Sequence, residues 1–257
     1  MTLVSSLPEP HGPRPKRRRL KSLAFVPALL TLGNLTCGFA AIHFALRAMY
    51  EFGAGISDEQ IMTLKSVQWE RMLPSSLSIA AGMIILGMVF DCFDGLVARV
   101  PRSTTSFGGQ LDSLADVVTC GAAPAILMIT FMTRELAGDS ILPSPVSEHF
   151  LGRATWVSAA IYVAFAAIRL ARYNVEHAQA DFDHRAFRGL PTPGAAALIV
   201  SLILVHGKIS PLLAGLIVYS LPAAAIATAF LMVSRIPYRR FYRAYLLGRQ
   251  PFGHLLV

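Results

Sequence analysis

The stretch DCFDGLVARVPRSTTSFGGQLDSLAD runs from Asp91 to Asp116 and carries four aspartates, Asp91 and Asp94 three apart and Asp112 and Asp116 four apart. At 100° per residue, Asp91, Asp94, Gly95 and Ala98 fall within a sector of about 100°, so one helix face holds two carboxylates and two small residues. Gly108, Asp112 and Asp116 form one stripe on the following helix. VPRSTTSF, with Pro101, Ser103 and Thr104, is a break between the two, so the carboxylate pairs can face each other across a helix-loop-helix. Ionised carboxylates crowded together repel unless cations join them, and all-oxygen ligation favours hard divalent ions, Mg²⁺ or Mn²⁺. Two bridged ions would clamp a diphosphate and offset the charge of its leaving group. Gly95, Ala98 and Gly108 leave room for a bulky head group, and Arg99 can pair with phosphate oxygens. The competing reading is a set of partly solvated helix-end acids that neutralise Arg99 and Arg102. It accounts for one pair, but not for four in register with Gly and Arg.

The elements that must hold these residues are apolar. Of 257 residues, 54% are hydrophobic and only 15% charged, too apolar for an ordinary soluble domain, so the chain reads as an all-α integral membrane protein. Hydropathy places six spans at about 23–48, 75–98, 110–132, 154–173, 194–207 and 211–233. They form one bundle over residues 21–235, between a basic Pro-rich disordered tail at 1–20 and a basic C-terminal tail at 236–257. The fifth span is short; it begins nearer Leu190 if its Pro-containing start is helical, or it is tilted. PHGPRPKRRRLK ahead of the first run imitates a secretory n-region, but the run is too long for an h-region, so the first span is expected to be uncleaved.

A net charge of +8 raises the question of nucleic acid. The basic residues lie at the ends and between apolar runs, which points to topology and anionic lipid instead. Arg-rich segments alternate with mixed or acidic ones in the sense that puts both termini, and the Asp91–Asp116 segment, in the cytoplasm. The basic run 235–243 reads as a lipid-surface anchor, and His43 as a packing or far-end polar residue. Cys37, Cys92 and Cys120 have no paired spacing, which argues against both a disulfide framework and a zinc site.

The arrangement D-x2-D-G-x2-A-R-x8-G-x3-D-x3-D resembles the signature of the CDP-alcohol phosphotransferase family. The resemblance implies a six-span core, two metal ions, a CDP-linked lipid bound at the cytoplasmic face, and a homodimer. Carried over by position, Asp91, Asp94 and Asp112 are metal ligands, while Asp116 completes the metal site and acts as general base. Gly95, Ala98, Arg99 and Gly108 line the cytidine diphosphate pocket. VPALLTLGNLTCGFAAI (26–42), RLARYN (169–174) and FRGLPTPGAA (187–196) are similar to the first, fourth and fifth spans of bacterial phosphatidylserine synthases. That similarity implies transfer of a phosphatidyl group from CDP-diacylglycerol to L-serine, with release of CMP, in the bacterial inner membrane. One departure is Ala28, where many relatives carry Asn after the Pro, so Thr31 and Asn34 must suffice there.

A serine acceptor needs a cation for its carboxylate. Arg169 and Arg172 share a helix face at the cytoplasmic end of the fourth span, with Asn174 close by and Arg188 in the following segment. Arginines at cytoplasmic helix ends also serve topology alone, and both readings stand. The same arginines leave glycerol 3-phosphate or an inositol phosphate open as acceptor. Thr192, between two prolines, presents polar groups to the head-group pocket or simply marks the entry to a span. Thr31 and Asn34 either face the nucleotide pocket or bond a neighbouring helix. Two other classes fit less well. A membrane isoprenyl-diphosphate transferase would show its carboxylate motifs on helices far apart in sequence, and a cation transporter would carry its acids near the bilayer midplane.

Overall fold

The computed structural model describes residues 25–55, 75–97, 106–136, 143–178, 187–234 and 237–238. The expected tails at 1–20 and 236–257 lie outside the described residues, apart from Pro237–Tyr238. The fold is helical: α1 (Phe25–Gly53), α2 (Ser76–Val97), α3 (Ser106–Asp116), a π-helical turn (Val117–Ala122), α4 (Ala123–Glu135), α5 (Phe150–Ala178), α6 (Thr192–His206) and α7 (Pro211–Val233). Two residue pairs, β1 (Phe187–Arg188) and β2 (Pro237–Tyr238), form a short antiparallel ladder.

Local sequence explains these elements. From Ala28 to Leu46, α1 has neither a charge nor a proline. It then continues through Arg47 and Glu51, which pair across one turn with Nε and Oε1 2.8 Å apart, so the helix outlasts its apolar run and ends at Gly53 rather than near 48. In α2 the Ser75 hydroxyl accepts from the Ser78 N–H at 3.2 Å, an N-cap that satisfies one of the first-turn donors. No charge follows until Asp91, so both acids of α2 stand in its last turns, at the negative end of the helix dipole.

The segment α3, π turn and α4 forms one span, Gly108–Glu135, at the centre of the bundle: 67% of its apolar stretch is buried, against 33–39% in the other four long spans. The π turn has a cause in the sequence. The amide that would close an α-helical bond onto the Cys120 carbonyl belongs to Pro124, which has no hydrogen to donate. Instead the hydroxyl of fully buried Tyr162, on α5, donates to Cys120 O at 2.9 Å.

Among the described residues five helices are long and apolar enough to cross a membrane, and α6 is a shorter sixth of 15 residues. At 1.5 Å per residue α6 rises about 22 Å, less than the ~30 Å of hydrocarbon. It begins at Thr192 rather than 190 or 194, because extended Pro191 serves as its N-cap and Pro193 is tolerated in the first turn. Ahead of it, Gly189 takes φ +81°, and a Cβ there would run into the carbonyls of Met232 and Ser234. Together with the Leu190 N–H to Leu231 O bond of 3.0 Å, this close approach fastens the start of α6 to the end of α7. The core consists largely of small and aliphatic side chains, among them Ala45, Ala80, Ala81, Ile84, Leu127 and Leu221, which allow helices to approach closely where lipid provides no hydrophobic drive between them.

Candidate active site

At one end of the bundle the last turns of α2, α3 through its final residue Asp116, and the start of α1 converge. Carboxylate oxygens of Asp91, Asp112 and Asp116 all lie within 4.8 Å of one another. Asp94 is buried beside them, within electrostatic reach of Asp91 and Asp112. From α1, the Thr31 hydroxyl donates to Asp94 Oδ2 at 3.2 Å, and Asn34 Nδ2 donates to Asp116 Oδ1 at 3.0 Å. Each helix pair is therefore tied to α1 by one neutral donor, and these donors bring no positive charge. Among the described residues no Lys, Arg or His lies within 4.0 Å of any of the four carboxylates.

Like charges at this spacing repel by several kcal/mol at an effective dielectric near 20. Asp112 Oδ1, moreover, is buried with no hydrogen-bond partner among the described residues. Three convergent oxygen donors and one orphaned buried oxygen suit a hard divalent cation such as Mg²⁺ or Mn²⁺. Around Gly95, which is exposed, a Cβ would find nothing within 4 Å, so there is open space beside the acids. Gly108 is half-buried at the start of the Asp112–Asp116 stripe. Ala98 and Arg99 lie outside the described residues.

The two arginines of α5 part company. Arg169 Nη1 donates to the hydroxyl of buried Thr192 at 3.0 Å, while its Nε is buried without a partner among the described residues. Its charge is within reach of Asp116 and Asp91. Arg172 Nη1 instead donates to Val233 O at 3.0 Å, capping the C-terminus of α7. Asn174 Oδ1 accepts from Ser113 Oγ at 3.0 Å, which joins α5 to the helix bearing Asp112 and Asp116. Arg188 is in β1, and its side chain lies outside the described residues.

Sequence reasoning passed over Ser113, Tyr162 and Thr119. Thr119, in the π turn, donates to the main-chain O of Asn34 at 3.0 Å. The available signal was Pro124, four residues beyond Cys120 and so placed to disturb the helix just after Asp116.

The sequence model described as CDP-alcohol phosphatidyltransferase matches residues 24–234. Among curated proteins the chain is similar to the CDP-diacylglycerol–serine O-phosphatidyltransferase of Helicobacter pylori, 35% identical over 130 residues that cover 51% of this chain and 48% of that protein. Its namesake in Mycobacterium leprae is 26% identical over 89% of this chain and 63% of its own length. The one in Bacillus subtilis is 26% identical over 84% of this chain and 91% of its own. The chain thus spans about half the length of the H. pylori relative and under two thirds of the M. leprae one.

Proposed function

The chain belongs to the CDP-alcohol phosphatidyltransferase family, and from that premise we propose that it transfers the phosphatidyl group of CDP-diacylglycerol to L-serine, forming phosphatidylserine and CMP. The observation that carries the proposal is the convergence of Asp91, Asp112 and Asp116, with a buried nitrogen of Arg169 that has no hydrogen-bond partner among the described residues. Divalent cations held by Asp91, Asp112 and Asp116, with Asp94 at their side, would neutralise the diphosphate and the departing CMP.

The residues of the chain do the rest. The serine hydroxyl oxygen bonds to the phosphorus that bears the lipid, and the bond from that phosphorus to the phosphate oxygen of CMP breaks, CMP leaving with the electron pair. The hydroxyl proton passes to Asp116, whose orientation is fixed by Asn34 through Oδ1. Arg169, pinned by Thr192, offers Nε to the serine carboxylate. Asn174, held by Ser113, is the polar partner for the serine amine. Space beside Gly95 admits the nucleotide head group, and the family pattern assigns Ala98, Arg99 and Gly108 to the same nucleotide.

Arg172 bears on the choice of acceptor. A phosphate-bearing acceptor needs a second cation, and the guanidinium one turn from Arg169 is engaged by the α7 terminus, which favours serine over glycerol 3-phosphate or an inositol phosphate. Arg-rich connections at the aspartate end favour a cytoplasmic site in the bacterial inner membrane, with both termini on that side. A homodimer belongs to the same reading.

The test is purified protein in detergent with CDP-diacylglycerol, Mn²⁺ or Mg²⁺, and labelled serine, glycerol 3-phosphate or inositol phosphate. Label should enter lipid only from serine, with stoichiometric CMP, and EDTA should abolish both. Label from another acceptor would overturn the serine assignment and keep the chemistry; no CMP with any acceptor would overturn the chemistry.

A further inference from the structure

Asp116 is held by α1, and α1 is in turn held by the π turn that follows Asp116. Asn34 is fully buried, and its side-chain amide donates to Asp116 Oδ1 at 3.0 Å. Its main-chain oxygen accepts from Thr119 Oγ1 at 3.0 Å, and Thr119 is itself fully buried. Two glycines make this contact possible. A Cβ on Gly38 would collide with the Thr119 hydroxyl and Cα, and a Cβ on Gly87 would lie 2.5 Å from Thr119 Cγ2 and 3.0 Å from Asn34 Oδ1. Thr119 is therefore wedged between α1 and α2, with its hydroxyl aimed at the residue that orients Asp116. Thr119 stands in the π turn Val117–Ala122, directly after Asp116.

We propose that Thr119 is a positioning residue for the reaction. Through Asn34 it fixes the carboxylate of Asp116, closing a loop that begins and ends on the same helical span. The proposal rests on the phosphatidyl-transfer reading only for the name of the reaction; the loop itself also governs how well the acid cluster takes a divalent cation. Outer groups that orient a ligand commonly contribute 10–100-fold to affinity or rate.

The test compares Thr119→Val, which keeps shape and removes the hydroxyl, with Thr119→Ser, which keeps the hydroxyl. Two readouts are taken on full-length protein in detergent: Mn²⁺ affinity by electron paramagnetic resonance without substrates, and steady-state CMP release. Thr119→Val should weaken Mn²⁺ binding about 10-fold and lower kcat about 10-fold, with KM for both substrates within about twofold of wild type. Thr119→Ser should stay within about threefold of wild type on both readouts. Equal loss in the two variants would mean packing rather than the hydroxyl, and would overturn the proposal, as would wild-type behaviour of Thr119→Val. If wild-type protein binds Mn²⁺ but releases no CMP, the transfer reading fails and the Mn²⁺ titrations still decide on Thr119; if it binds no Mn²⁺, both fall.

Discussion

Acids occur at both ends of this bundle, and the two ends treat them differently. At the end away from the aspartates, buried Glu51 meets Arg47 at 2.8 Å, and Glu135 lies 3.5 Å from His206, whose ring packs edge-on against Phe131. Each of these acids has a basic side chain of the protein beside it. At the other end, Asp94 and Asp116 receive neutral hydrogen bonds from Thr31 and Asn34, and Asp112 keeps a buried oxygen without a partner among the described residues. Arg169 approaches but directs Nη1 to Thr192. Acids at the first end are there for architecture. Those at the second meet no basic side chain within 4.0 Å among the described residues, an arrangement open to a divalent cation.

Removing one acid from each end separates the two roles. Asp112→Asn should reduce CMP release by about 10³-fold or more, since under the proposed transfer it would remove a metal ligand and a charge. In metal-free buffer the same variant should melt at or above the wild-type Tm, because a like-charge repulsion goes with it. A lower Tm would mean that the cluster stabilises the fold by itself.

Arg169→Gln should act next most strongly. KM for serine should rise about 10–100-fold, the worth of a charged hydrogen bond, with KM for CDP-diacylglycerol changed little. An equal rise in both would detach Arg169 from the acceptor. Glu51→Gln should give the smallest effect and the opposite pattern: kcat unchanged and a stability loss of about 0.5–1 kcal/mol, read as a Tm lower by a few degrees. Loss of turnover there would erase the distinction between the two ends.

Much of this organisation is legible in the sequence, for physical reasons that stop at identifiable residues. Long apolar runs mark the spans because the bilayer demands them, and α7 begins and ends at the expected 211 and 233. Helix ends beyond the hydrocarbon obey other rules. Hydropathy stops α1 near 48, whereas Arg47 and Glu51 carry it on to Gly53. The spacing of the aspartates is local, and i, i+3 and i, i+4 repeats convert directly into helix faces. Which donor on α1 meets which aspartate depends on rotation and depth between helices distant in sequence, and no local pattern encodes it. Arg169 and Arg172 look equivalent on one helix face. They diverge because the Gly189 turn brings the end of α7 against one and the start of α6 against the other. The π turn was legible only in part: Pro124 implies a missing bond, but not the rotation that aims Thr119 at Asn34.

The most direct measurement of the central claim is Mn²⁺ binding by electron paramagnetic resonance on the full chain in nanodiscs, comparing wild type, Asp112→Asn and Glu51→Gln. Wild type and Glu51→Gln should deplete the free-ion signal equally, and Asp112→Asn should deplete it far less. An undiminished signal with wild type, or the same depletion with Asp112→Asn as with wild type, would contradict that claim.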